Sequence, residues 1–194
     1  LERTATGELI VMPPAGSLTG SYNLNIAGQL WLWNRQTRLG KTFDSSAGFK
    51  LPDGSIRSPD AAWIRHDRWD ALTPVDQEGF APLAPDFVVA LRSASDNLKP
   101  LQDKMRDYLA NGTEMGWLID RKGQRVEIYR RAIGAVDPPE QVPAKGETRT
   151  AARTAARTWE MTVEMTVEIM ERPDRLSGHP LLPGFSLDLG ELWV

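Results

Sequence analysis

Ser58-Pro59-Asp60-Ala61-Ala62-Trp63-Ile64, followed by Pro85-Asp86-Phe87-Val88-Val89-Ala90-Leu91-Arg92-Ser93, decides how this chain folds. The second stretch holds an unbroken apolar run, the pattern of a central strand covered on both faces. With a period of two, Asp86, Val88, Ala90 and Arg92 point one way, and Phe87, Val89 and Leu91 the other. The same period places Asp60 on one face with Ser58, Ala62 and Ile64. A carboxylate among small apolar side chains is costly without a partner. Two explanations stand side by side: a hydrogen-bonded aspartate after proline, or a metal ligand.

Downstream, Leu98, Leu101, Met105, Tyr108 and Leu109 recur at helical spacing, with Ser95 or Asp96 as a cap and Asn111-Gly112 as the stop. Lys104 borders that buried stripe, where a lysine either snorkels to water or serves a site. Met115 to Asp120 and Arg125 to Arg130, around Arg121-Lys122-Gly123-Gln124, predict an antiparallel hairpin. Upstream, Glu8 to Met12 reads as a strand stopped by Pro13-Pro14. Ser21 to Thr37 reads as a helix capped by Ser21, and Lys41 to Leu51 as a strand folding back through Pro52-Asp53-Gly54-Ser55. His66 sits in a polar segment and reads as solvated. The order of helix, strands, helix and hairpin predicts an α/β fold, a mixed sheet flanked by helices.

The C-terminal part is internally repetitive. Thr150-Ala151-Ala152-Arg153 recurs at Thr154 to Arg157, and Glu160-Met161-Thr162-Val163 recurs at Glu164 to Val167. The second repeat alternates Met161, Val163, Met165, Val167 and Ile169 with polar residues, which predicts a long strand with one apolar face. The first is a short helix or a basic arm, in which Arg149, Arg153 and Arg157 would line one side. The tail from Pro173 to Leu189 is expected to close the chain by packing on the body.

A length of 194 residues suits one domain, expected to span 1–194. The net charge of −3 gives no general attraction to nucleic acid, so phosphate binding must come from a local basic patch or a metal. The absence of cysteine excludes disulfides, thiolate zinc sites and cysteine nucleophiles. With two histidines, an imidazole-rich metal site is also disfavoured. No apolar run is long enough to span a membrane, and the first residues lack a signal-peptide pattern, so a cytoplasmic protein is expected.

Ser58-Pro59-Asp60-Ala61-Ala62-Trp63-Ile64, Ala84 to Val89, Ser93-Ala94-Ser95-Asp96, Lys104-Met105 with Tyr108, Gly112, Trp117 to Asp120 and Leu182 to Leu187, in that order, resemble the Uma-two family of endonucleases. That family lies in the restriction-endonuclease-like, PD-(D/E)xK superfamily. The resemblance runs from about Glu8 to Trp193, and its ordered succession is specific where any one piece is weak. The repetitive stretch at about 145–168 looks like an insertion made by local duplication.

The resemblance implies a restriction-endonuclease-like mixed β-sheet flanked by helices, and a DNA endonuclease that hydrolyses phosphodiester bonds with Mg2+ or Mn2+. It implies a site with an aspartate at Asp60, a glutamate at the position held here by Ala90, and a lysine at Lys104. Glu8 would supply an outer carboxylate to the metal, and Arg92 would contact substrate phosphate. Two carboxylates hold a hard divalent ion, which acidifies a bound water, and the lysine orients that water or stabilises the phosphorane. Ala90 breaks this arrangement. Asp86, on the same face, lies about 13 Å back along the strand and cannot replace the missing ligand. Three readings follow: a deliberate inactivation, a natural degenerate homologue, or a residual metal site on Asp60 and Glu8. The expected activity is weakened or absent, with weakly bound metal, and the alternative is a non-catalytic nucleic-acid- or protein-binding homologue. Superfamily members often pair to cut two strands, so a homodimer is expected.

Overall fold

The computed structural model describes residues 1–11, 14–136 and 160–193. Two compact units divide the chain, Leu1–Arg131 with Met165–Val194, and Ala132–Glu164. The second unit holds the ends of two strands and residues outside the described set. All else below belongs to the first.

The chain opens with two short strands, β1 (Glu2–Arg3) and β2 (Leu9–Ile10), followed by the long helix α1 (Ser17–Thr37). Gly16 is the N-cap of α1 and contributes no side-chain hydrogen bond, so the helix begins a turn earlier than the expected Ser21 start. Next come β3 (Gly40–Asp44), β4 (Phe49–Lys50), β5 (Ile56–Arg57) and β6 (Ala61–Arg65). The strand expected across Lys41 to Leu51 is therefore split. β3 pairs with β6, with Gly40 opposite Arg65 and Asp44 opposite Ala61, while β4 makes the hairpin with β5. The hairpin turns at Gly54, whose φ of 84° suits glycine and strains other residues.

Two single-turn helices, α2 (His66–Asp70) and α3 (Pro74–Glu78), lead to β7 (Phe87–Leu91), which is buried at every position. The helix α4 (Leu98–Ala110) then crosses to β8 (Met115–Asp120), parallel to β7. Asn97 is its N-cap; Asp96 instead accepts a hydrogen bond from the Ser93 N–H. The hairpin partner β9 (Arg125–Val136) and the strand β10 (Glu160–Glu171) complete a six-stranded sheet of order β10-β9-β8-β7-β6-β3. A separate four-stranded sheet has the order β2-β1-β5-β4. β11 (Arg175–Ser177) pairs with β12 (Ser186–Asp188), and a 3-10 turn, Gly190–Trp193, ends the described chain.

The alternation read for β7 divides the core in two. Phe87, Val89 and Leu91 join a cluster with Ile26, Leu30 and Trp33 of α1 and with Phe185, Leu187 and Trp193 of the tail. Phe185 stacks on Trp117, with ring centroids 5.9 Å apart, and tilts against Trp33 at 5.4 Å. Val88 and Ala90 join the opposite cluster with Ala62, Ile64, Met105, Tyr108 and Leu118. The sheet is thus sandwiched between α1 with the tail and α4. A side chain at Gly116 of β8 would collide with Met105, so glycine sets the close approach of α4 to the sheet.

The repeat expected to form a long strand does so as β10, at the edge of the sheet. Its expected apolar face is open: Met165, Val167 and Ile169 are exposed. The first repeat, at 150–157, lies outside the described residues.

Candidate functional site

Asp60 sits where β6 is about to begin and continues its ladder, donating its N–H to the Val89 carbonyl at 2.9 Å. Its side chain is mostly buried, and each oxygen accepts one hydrogen bond. Asn23 Nδ2 of α1 donates to Oδ1 at 2.9 Å, and the Leu91 N–H donates to Oδ2 at 2.7 Å. Burial nevertheless pushes the Asp60 carboxyl above its ordinary value, against the pull of the Leu91 N–H, Lys104 and Asn23. The hydrogen-bonded aspartate is therefore present in the geometry. Asn23 adds a second feature, because its own carbonyl oxygen is buried with no hydrogen-bond partner among the described residues.

Ala90 is 2% exposed, within the apolar cluster on the α4 face. Tyr108, a member of the same cluster, has a fully buried hydroxyl with no partner among the described residues. Burial raises its pKa well above the ordinary phenol value. A buried hydroxyl without a partner costs stability.

Lys104 does not stand free. Its ammonium donates to Glu2 Oε1 at 2.5 Å and to the Ser58 carbonyl at 2.7 Å. Glu2, on β1, is buried, and the same Oε1 accepts the Ser58 N–H at 2.9 Å. Its Oε2 lies 3.3 Å from Arg57, whose other nitrogen reaches Asp107 of α4 at 2.6 Å. Glu2, Arg57, Lys104 and Asp107 thus form one chain of alternating charge that ties the small sheet to α4.

Glu2 is the carboxylate that sequence reasoning passed over in favour of Glu8. The carboxylate of Glu8 is on an exposed residue ahead of β2, where the backbone N–H donates to Thr4 Oγ1. Glu2 stands in a two-residue strand near the chain start, with no periodic pattern around it. The available signal was a pair of charged residues, Glu2-Arg3, ahead of the Gly7 turn.

Arg92 also has a partner. One of its terminal nitrogens contacts both oxygens of buried Asp120, at 3.0 and 3.1 Å, and its Nε donates to the Asp96 carbonyl. Asp120 in turn accepts the Gly123 N–H at 2.9 Å and lies 3.7 Å from Arg125. This bonding holds the hairpin turn between β8 and β9.

These groups do not fit a divalent cation. Position 90 has no oxygen, both Asp60 oxygens already receive N–H donors, and Glu2 is neutralised by Lys104 and Arg57. Among the described residues, no group of three or more His, Cys, Asp or Glu side chains could hold a metal ion. The arrangement keeps a carboxylate and an ammonium near the loop between β5 and β6, with a buried methyl group at the position to which the resemblance assigns the second carboxylate.

Comparison with known proteins agrees with the fold. A crystal structure from Anabaena variabilis ATCC 29413, described as a "putative nuclease belonging to DUF820", is similar at a TM-score of 0.67 and 19% identity, covering 99% of this chain and 88% of that one. No curated protein matches. No helix among the described residues is long and apolar enough to cross a membrane. The family model described as "Putative restriction endonuclease" matches residues 1–164, and the chain belongs to that family, Uma2.

Proposed function

We propose that this chain carries the scaffold of a DNA endonuclease, directed at phosphodiester bonds, with its cleavage chemistry weakened by Ala90. The observation that carries the reading is the pairing of two retained groups with one lost group. Asp60 and Lys104, the two groups that the resemblance puts in the site, both border the segment Ser58 to Asp60, while residue 90 is a buried methyl in the apolar cluster on the α4 side. Binding of Mg2+ or Mn2+ is accordingly weak in the chain as it stands. Glu8 and Arg92 enter this reading only as outer groups, Arg92 by way of its ion pair with Asp120.

The test is Ala90→Glu, assayed for Mn2+-dependent nicking of plasmid and single-stranded DNA and for Mn2+ binding by calorimetry. Gain of both supports the reading. A folded variant that gains neither contradicts it.

A second reading, a non-catalytic binding protein on the nuclease fold, is favoured by the Glu2 to Lys104 contact, because an ammonium locked to a carboxylate is a structural cation. The same variant separates the two. A homodimer, which would bring two sites to two strands, is proposed on symmetry grounds alone. Sizing chromatography with light scattering checks it.

A further inference from the structure

At the C-terminal end of α1, Arg35 and Arg38 converge with Lys41 of β3 on a pocket of about 430 Å3 that also borders Trp31. All three cations are exposed. Among the described residues none of them has a carboxylate partner, in a chain whose net charge is −3. A helix C-terminus attracts cations, which accounts for Arg35 in the last turn. It does not account for Lys41 on the neighbouring strand.

Trp31 is 49% exposed, and the Arg35 guanidinium carbon lies 5.0 Å from the centroid of its ring. The same indole also lines an apolar depression of about 570 Å3 with Leu24, Ala27 and Phe43. Trp31 is therefore the shared wall between a basic pocket and an apolar one. A nucleotide has the complementary division, an anionic phosphate beside an apolar, stackable base.

We propose that this surface binds single-stranded nucleic acid, with Arg35, Arg38 and Lys41 on the phosphates and a base stacked at Trp31. A positive groove with an aromatic platform is the usual means of holding a single strand, and duplex bases offer no free face to stack. Three cations make this a local attraction that the acidic net charge does not cancel. The basic end of this surface is separate from Asp60: Gly40 and Lys41 begin β3 beside the far end of β6, about 15 Å along the strands from Asp60. The apolar depression runs back towards Asp60, since Leu24 follows the Asp60 partner Asn23 and Asp44, which also lines the depression, pairs with Ala61. Binding here needs no cleavage and stands apart from the nuclease reading.

The test is fluorescence anisotropy with a short labelled oligothymidylate, from low to moderate salt. It compares the wild type with Arg38→Glu/Lys41→Glu, Trp31→Ala and the exposed-loop control Lys122→Glu. Thermal melts show that each exposed-site variant is folded. The expected result is a loss of at least tenfold for the charge variant, with a log–log salt slope shallower by about 1.4 for two lost phosphate contacts. Trp31→Ala should bind the oligonucleotide about tenfold more weakly and heparin unchanged. Four outcomes overturn the proposal: no binding by the wild type at low salt, a charge variant equal to the control, a Trp31→Ala variant equal to the wild type, or tighter binding of a duplex than of the single strand. The plasmid assay on Ala90→Glu reports on the nuclease reading separately.

Discussion

Glu2 Oε1 lies 2.5 Å from Lys104 Nζ, so the carboxylate of the first strand neutralises the lysine of the helix that flanks the candidate site. The side chains are 2% and 13% exposed. Taking one partner from a buried pair leaves the other charge uncompensated, which typically costs about 3–5 kcal/mol. Glu2→Gln should lower stability by about 3 kcal/mol in urea unfolding, since Arg57 keeps Asp107 as a second partner. Lys104→Met in the Glu2→Gln background should recover part of the loss. Additive effects of the two substitutions would show that the pair is uncoupled.

Asp60 predicts a pH dependence of its own. Burial raises its folded-state pKa above 3.8, so the folded chain binds the proton more tightly than the unfolded chain does. Stability then falls as pH rises through the window between 3.8 and the raised value, and the deficit persists above it. Asp60→Asn removes the ionisation and can still accept from the Leu91 N–H. It should melt a few degrees above the wild type at pH 7, with the gap shrinking as pH falls towards 3.8. A gap that is constant or widens on acidification would show that Asp60 is not held with a raised pKa.

Tyr108 carries a buried hydroxyl that bonds to nothing among the described residues. Removing an unsatisfied buried group relieves its desolvation cost, about 1 kcal/mol here. Tyr108→Phe should therefore be as stable as the wild type or more stable by about that amount. A loss of stability in chemical unfolding would mean that the hydroxyl has a partner.

The central strand was legible because an uninterrupted apolar run bounded by Pro85-Asp86 and Arg92-Ser93 admits few alternatives, and its alternation correctly divided the core between Val89 and Ala90. The crossover helix and following hairpin were legible for the same reason, since stripe spacing and the Gly123 turn are local signals. The tail from Pro173 to Leu189 packs on the body as its apolar residues imply, through Phe185 and Leu187. The start of α1 was misplaced because Ser21 looks like a cap, whereas the helix begins at Ser17 after Gly16. Glu2 was missed because its importance comes from contacts with Ser58, Arg57 and Lys104, far away in sequence, which no periodicity records. The strand β10 was legible from its alternation, which names the apolar side of a strand without saying whether anything covers it. Asn23 lay among apolar positions of α1, and only folding brings it to Asp60.

The account rests on residue 90. The most direct measurement is the rate of Mn2+-dependent plasmid nicking by Ala90→Glu beside the wild type, with a thermal melt to establish that the buried glutamate is tolerated. The account predicts nicking at least a hundredfold faster than the wild type, abolished by Asp60→Asn in the same background. A folded Ala90→Glu protein that nicks no faster than the wild type and takes up no Mn2+ would contradict it.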